Sequence, residues 1–181
     1  MSTETIVTLD LWMIIPLFIG GSLLHFTYDM TKHNAWSSVV SAVNESYWEH
    51  MKIAFWPALL LFSIEYAIGG YEVAAFIPAK TIALYSIPVS MVSFVFLYKY
   101  LTKKNVLALD IFAFLLTIAL AQAISSLTLT ELAPSPWSIA LSSGFLVVIV
   151  LAFAVFTKFP PKELDLFIDP ITSKYGLKGH K

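Results

Sequence analysis

Apolar residues run along this chain in long, scarcely interrupted blocks, and its charge gathers in the breaks between them. A bilayer core takes about 20 consecutive, mostly apolar residues per helix. Five stretches reach that length, from about Leu9 to Tyr28, Trp48 to Ile68, Phe76 to Tyr98, Val106 to Leu127 and Pro136 to Thr157. The pattern predicts an all-α integral membrane bundle of five transmembrane helices over residues 1–158. A cytoplasmic tail, 159–181, is expected to pack back on the helix ends through Leu164, Leu166, Phe167 and Ile168. Pro57, Pro78 and Pro88 would stop soluble helices but are expected here as kinks within spans. Between Met30 and Val43, "AWSSVVSAV" predicts a short segment lying in the interface.

Composition strengthens this picture. Of the 181 residues 58% are hydrophobic and 13% charged, and the mean hydropathy is +0.78. A soluble domain rarely reaches such values. The first ten residues hold Glu4 and Asp10 but no lysine, and no small-residue cleavage site follows, so the first block is expected to stay as an uncleaved span. A net charge of −1 gives nucleic acid no basic surface, so the expected surroundings are membrane lipid. Without cysteine there is no disulfide, thiolate ligand or cysteine nucleophile, and without arginine no guanidinium fork.

Lysine placement sets the orientation. With five spans, Lys32, Lys52, Lys99, Lys103, Lys104, Lys158, Lys162, Lys174, Lys178 and Lys181 fall on one side, and Lys80 alone on the other. The positive-inside rule makes the lysine-rich side cytoplasmic, with the N-terminus outside, in the cell membrane.

Ionisable residues from separate blocks reach similar depth near that face. His25 and Asp29 end the first span with i, i+4 spacing, and Glu45, Glu49 and His50 begin the second, Glu45 and Glu49 again at i, i+4. Helix capping explains part of the cluster, with Asn44 as N-cap and Ser46 and Glu49 at capping-box spacing. It does not explain the histidines. Two imidazoles and two carboxylates suit a divalent metal such as Zn²⁺, Fe²⁺ or Mn²⁺, with His25, Glu45, Glu49 and His50 as candidate ligands. The alternative is a metal-free proton or polar-ligand site in which Glu49 and His50 act as acid and base. Asn44, Trp48, Lys52, Asp29 and Asp169 complete the expected lining. Elsewhere, Glu65 and Lys80 are expected to pair, Gln122 to bond between helices, and Asp110 to meet Lys103 or Lys104. His33 and His180 read as solvated. Gly20-Gly21-Ser22 and Ser142-Ser143-Gly144 read as close-packing surfaces.

The segments "LLHFTYD", "NESYWEHMK" and "KFPPKELDLFIDPITSKYG" together resemble an uncharacterised family of small prokaryotic multi-pass membrane proteins. Its motif, Asn-Glu-Ser-x-Trp-Glu-His-x-Lys, falls here on Asn44, Glu45, Ser46, Trp48, Glu49, His50 and Lys52. The tail motif falls on Pro160, Pro161, Phe167, Asp169, Pro170, Tyr175 and Gly176. The resemblance covers nearly the whole chain and implies the same architecture but no activity. Three functions compete: a membrane-embedded enzyme, a transporter component, or an accessory subunit of a larger complex or homo-oligomer.

Overall fold

The computed structural model describes residues 1–162 and 164–179; Glu163, His180 and Lys181, the last two named above, lie outside the described residues. Among the described residues the protein is helical, with one isolated bridge between Ile168 and Tyr175. The α-helices are α1 Thr3–Trp12, α2 Ile14–Met30, α3 Ser37–Val40, α4 Tyr47–Ala67, α5 Phe76–Thr102, α6 Leu107–Glu131 and α7 Pro136–Val155. Three of them, α5, α6 and α7, are long and apolar enough to cross a membrane, and α1 with α2 makes a fourth if that bent pair is one span. The α4 helix, expected as a span, is not among these. It carries Glu49, His50 and Lys52 near its start and Glu65 near its end.

The first expected span is broken. α1 and α2 meet at Met13 with a bend of 50°. Pro16 explains the break. It has no N–H for the Trp12 carbonyl, and its ring crowds that carbonyl. Pro57 and Pro88 lie inside α4 and α5 without ending them. Pro78 falls in the first turn of α5, where the backbone N–H would lack a helical partner in any case. α7 starts most firmly, with Pro136 in its first turn and a reciprocal Ser135–Ser138 capping box.

α4 occupies the centre, packed against α2, α5 and α6. Its Met51, Ile53, Ala54 and Phe55 are buried, and Phe55 stacks on Phe153 of α7 at 4.3 Å. The perimeter is apolar, with Leu141, Phe145, Val148 and Leu151 of α7 exposed. α2 comes close to α4 at Gly21, where a Cβ would lie 2.7 Å from the Ile53 carbonyl oxygen and 2.7 Å from Phe114 Cζ. Ile53 is also the residue whose helical hydrogen bond Pro57 removes, so its carbonyl is free to face that approach. Gly20 and Gly144, read above as packing surfaces, have open space around them.

In the segment after α2, Ser37, Ser38 and Ser41 through Asn44 are buried, while Ala35 and Trp36 are exposed. The tail also returns to the helix ends. Phe167 is buried against Trp48 with ring centroids 4.7 Å apart, and Gly176 accepts a hydrogen bond from the Asn44 side chain.

Candidate metal centre

Three stretches of chain deliver the cluster. α2 carries His25 near its end, the irregular segment before α4 carries Glu45, and the first turn of α4 carries His50. Nε2 of His25 lies 3.5 Å from Glu45 Oε2, and Nε2 of His50 lies 3.7 Å from the same oxygen. The imidazole centroids are 5.3 Å apart. One ligand atom from each residue falls within 4.8 Å of the others. A tetrahedral ion with bonds of ~2.0–2.1 Å holds its donors roughly 3.3–3.4 Å apart. Small rotations of these half-exposed side chains cover the difference.

His50 is oriented from behind. Its Nδ1 lies 2.9 Å from the Ser46 carbonyl oxygen, one turn back. A carbonyl can only accept, so Nδ1 carries the proton and donates it. In the neutral ring the Nε2 lone pair then faces the Glu45 side, the arrangement that metal-binding histidines use to fix their tautomer.

Two cavities flank the cluster. One of about 240 Å³ is lined by His25, Asp29, Asn44, Glu45 and Asp169, among others. The other, about 210 Å³, is lined by Glu45, His50, Lys99, Asp110 and apolar side chains such as Val95 and Phe114. Glu45 borders both. On the wall of the second, Lys99 donates to the Tyr47 hydroxyl and Tyr98 donates to Asp110. Asp110 therefore has a tyrosine as partner where Lys103 or Lys104 was expected. None of these tyrosines was singled out from the sequence, because a tyrosine in an apolar block reads as an ordinary interfacial residue.

Glu49 is not in the cluster. α4 begins at Tyr47 with Ser46 as N-cap, so Glu45 precedes the helix and shares no helical face with Glu49. Glu49 turns inward and forms an ion pair with Lys52, both side chains being 2% exposed or less. Thr157 donates to Glu49 Oε1 at 3.0 Å and accepts from Lys52 Nζ at 2.8 Å. The Val43 N–H completes Glu49 at 3.1 Å, and the Ser38 carbonyl completes Lys52 at 2.8 Å. The capping box expected between Ser46 and Glu49 does not form, since the Ser46 side chain makes no cap hydrogen bond and Glu49 accepts from Val43 instead.

The other expected lining residues have local duties. Asn44 is not the N-cap; its Oδ1 accepts from the Ser46 N–H at 2.8 Å and its Nδ2 donates to the Gly176 carbonyl at 2.9 Å. Trp48 is buried and stacks on Phe153 at 4.5 Å. Asp29 lines the first cavity and lies 3.3 Å from His33 Nε2. Asp169 is buried and accepts from the backbone N–H groups of Ile171 and Thr172 at 3.2 and 3.0 Å, which forms the tail's turn.

A second charged group sits between the other ends of the long helices. Lys80 Nζ lies 2.6 Å from Glu65 Oε2, as the Glu65–Lys80 expectation has it, and also 2.6 Å from Asp10 Oδ1. Gln122 donates to the Asp10 carbonyl and Oδ1 at 3.1 and 3.2 Å, and Ser125 donates to Asp10 Oδ2 at 2.7 Å. Asp10 gave no warning of this, because from the sequence it belongs to the acidic start of the chain.

The class so defined is an all-helical protein with three helices able to cross a membrane, four if the bent pair counts as one, and a His–Glu–His cluster beside two cavities. Residues 1–177 match a family of unknown function, DUF6512, and the chain belongs to that family. Membership brings no activity, substrate or partner with it. No curated protein and no solved structure matches the chain.

Proposed function

We propose that the protein is a five-span integral membrane protein that holds a divalent metal on His25, Glu45 and His50 at its cytoplasmic end. The metal serves catalysis on a membrane-proximal substrate. α1 and α2 form one bent span and α4 is the fifth. The charges that lower the apolar character of α4 favour this, because Glu49, Lys52 and Glu65 are turned into the bundle and paired there. A helix enclosed by neighbours meets protein rather than lipid, so it tolerates such residues. The lysine asymmetry supports an outside N-terminus.

The observation that carries the metal assignment is the convergence of two imidazoles and one carboxylate, with His50 held in the metal-binding tautomer by the Ser46 carbonyl. Three protein donors beside open space resemble catalytic sites, which keep a position for water or substrate, more than closed four-ligand structural sites. Such a donor set suits Zn²⁺, Fe²⁺ or Mn²⁺. When bound, the ion would supply Lewis acidity and an activated water. The second cavity sets Lys99 and the carboxylates of Glu45 and Asp110 beside the apolar Val95 and Phe114, which suits an amphiphile. A transporter is less well supported, since α4 buries Ile53, Ala54 and Phe55 between its two charged regions.

The test is elemental analysis of detergent-purified protein after growth with added zinc, iron or manganese. One ion per chain is expected in the wild type and none in His50→Ala, with helicity unchanged by circular dichroism. A metal-free wild type under all three supplements would overturn the assignment.

A further inference from the structure

The group at the far end of the bundle is chemically unbalanced as drawn in ionised form. Asp10 from α1 and Glu65 from α4 both meet Lys80 of α5 at 2.6 Å, and all three are almost wholly buried. α6 adds only the neutral donors Gln122 and Ser125, and both of these go to Asp10. α7 approaches one residue further along, where Thr81 meets the neutral Ser142 carbonyl at 3.4 Å. The nearby ion pair between the N-terminal amine and Glu72 is separate, with Glu72 exposed. Two carboxylates against one ammonium would therefore leave a net negative charge enclosed in a low-dielectric interior. Uncompensated burial of that kind is among the most costly arrangements a protein can hold.

The hydrogen bonding points the same way. Asp10 has a donor at both oxygens, from Lys80, Gln122 and Ser125. Among the described residues, Glu65 has no donor at either oxygen beyond its ion contact with Lys80. It is close to Asp10 because both carboxylates reach the same Lys80 ammonium, each at 2.6 Å. Two carboxyl groups can share a hydrogen bond only if one of them carries a proton, because ionised carboxylates only accept.

We propose that Asp10 and Glu65 bind one proton between them, forming with Lys80 a neutral, buried proton-binding site among α1, α4, α5 and α6. Asp10, with its full set of donors, is the carboxylate. Glu65, lacking them, holds the proton. The site is independent of the metal centre and stands or falls without it. It also lies beside the break between α1 and α2, since Asp10 is three residues before Met13.

Infrared difference spectroscopy of the purified full-length protein at neutral pH tests this, by reading the carbonyl stretch of un-ionised carboxylic acid. The wild type is expected to show that band. Glu65→Gln and Asp10→Asn should each lose it, because either one leaves a single carboxylate facing Lys80 and needing no proton. Circular dichroism and gel filtration verify the fold of each variant. Absence of the band from the wild type at neutral pH would overturn the proposal, and that measurement needs no variant. A band that survives both substitutions in folded protein would overturn it equally, by assigning the proton elsewhere.

Discussion

Glu45 and Glu49 are four residues apart and face opposite environments. Glu45 Oε2 meets two imidazole nitrogens at 3.5 and 3.7 Å beside open cavities, whereas Glu49 Oε1 lies 3.0 Å from Thr157 in the dry interior. The first carboxylate is placed to bind something and the second to hold the bundle together. Glu45→Gln is therefore expected to abolish metal retention with little change in unfolding midpoint. Glu49→Gln is expected to keep the metal in folded protein while leaving the Lys52 ammonium buried without its counter-ion. Removing one partner of a buried pair costs about 3–5 kcal/mol. Metal content and thermal unfolding in detergent, measured on both variants, separate the two roles. Equal metal loss in both would put Glu49 back among the ligands.

The pH dependence of the cluster distinguishes a metal site from a simple ion pair, because the two have opposite signs. A metal competes with protons for the imidazoles. Zinc affinity is therefore expected to fall on acidification, by up to about a hundredfold per pH unit where both histidines must lose a proton. A histidine–glutamate ion pair requires protonated imidazole and strengthens over the same range. Equilibrium dialysis against zinc between pH 5 and 8 reads the sign directly. Affinity that rises on acidification would exclude His25 and His50 as ligands.

Gly21 controls the distance between the helices that carry the two histidines. A methyl group there would sit 2.7 Å from both the Ile53 carbonyl and Phe114 Cζ. Gly21→Ala should cost about 1–3 kcal/mol from overpacking, against which the higher helix propensity of alanine returns up to ~1. Gly20→Ala, with nothing near its Cβ, should be neutral or stabilising. The pair of unfolding midpoints is the measurement, and an equal response would show that α2 and α4 do not touch at Gly21.

Much of this was legible along the chain. Block lengths placed the long helices to within a few residues, because an apolar stretch in this size range has few other solutions. His25 and His50 were legible as candidates, since capping chemistry uses carboxylates and amides but not imidazole, and Glu45 was legible only together with Glu49. The role of Glu49 was not. It depends on α4 starting two residues after Glu45 and on Thr157, more than a hundred positions away, whose hydroxyl bridges Glu49 and Lys52. The break at Met13 was open to inference from Pro16, which removes the hydrogen bond of Trp12. Asp10 was out of reach, because its partners come from α4, α5 and α6 and no spacing along the chain relates them.

The tail holds the site from the cytoplasmic side in the orientation proposed, and Gly176 is a point of attachment besides Phe167 on Trp48. With φ +52° the residue is in the left-handed region, and a Cβ would collide with the Thr157 carbonyl oxygen. The Gly176 carbonyl accepts from Asn44, whose Oδ1 in turn holds the Ser46 N–H, and Glu45 lies between those two residues. Gly176→Ala adds left-handed strain of roughly 1–2 kcal/mol to that collision. The tail should detach while α1 to α7 remain folded. Trypsin should then cleave faster at Lys162 and Lys174 than in the wild type. Loss of such outer support typically weakens a metal site by about 10–100-fold. Zinc affinity reduced on that scale, with helicity unchanged, is the expected outcome; wild-type affinity with a fully cleaved tail would show that Glu45 is positioned without it.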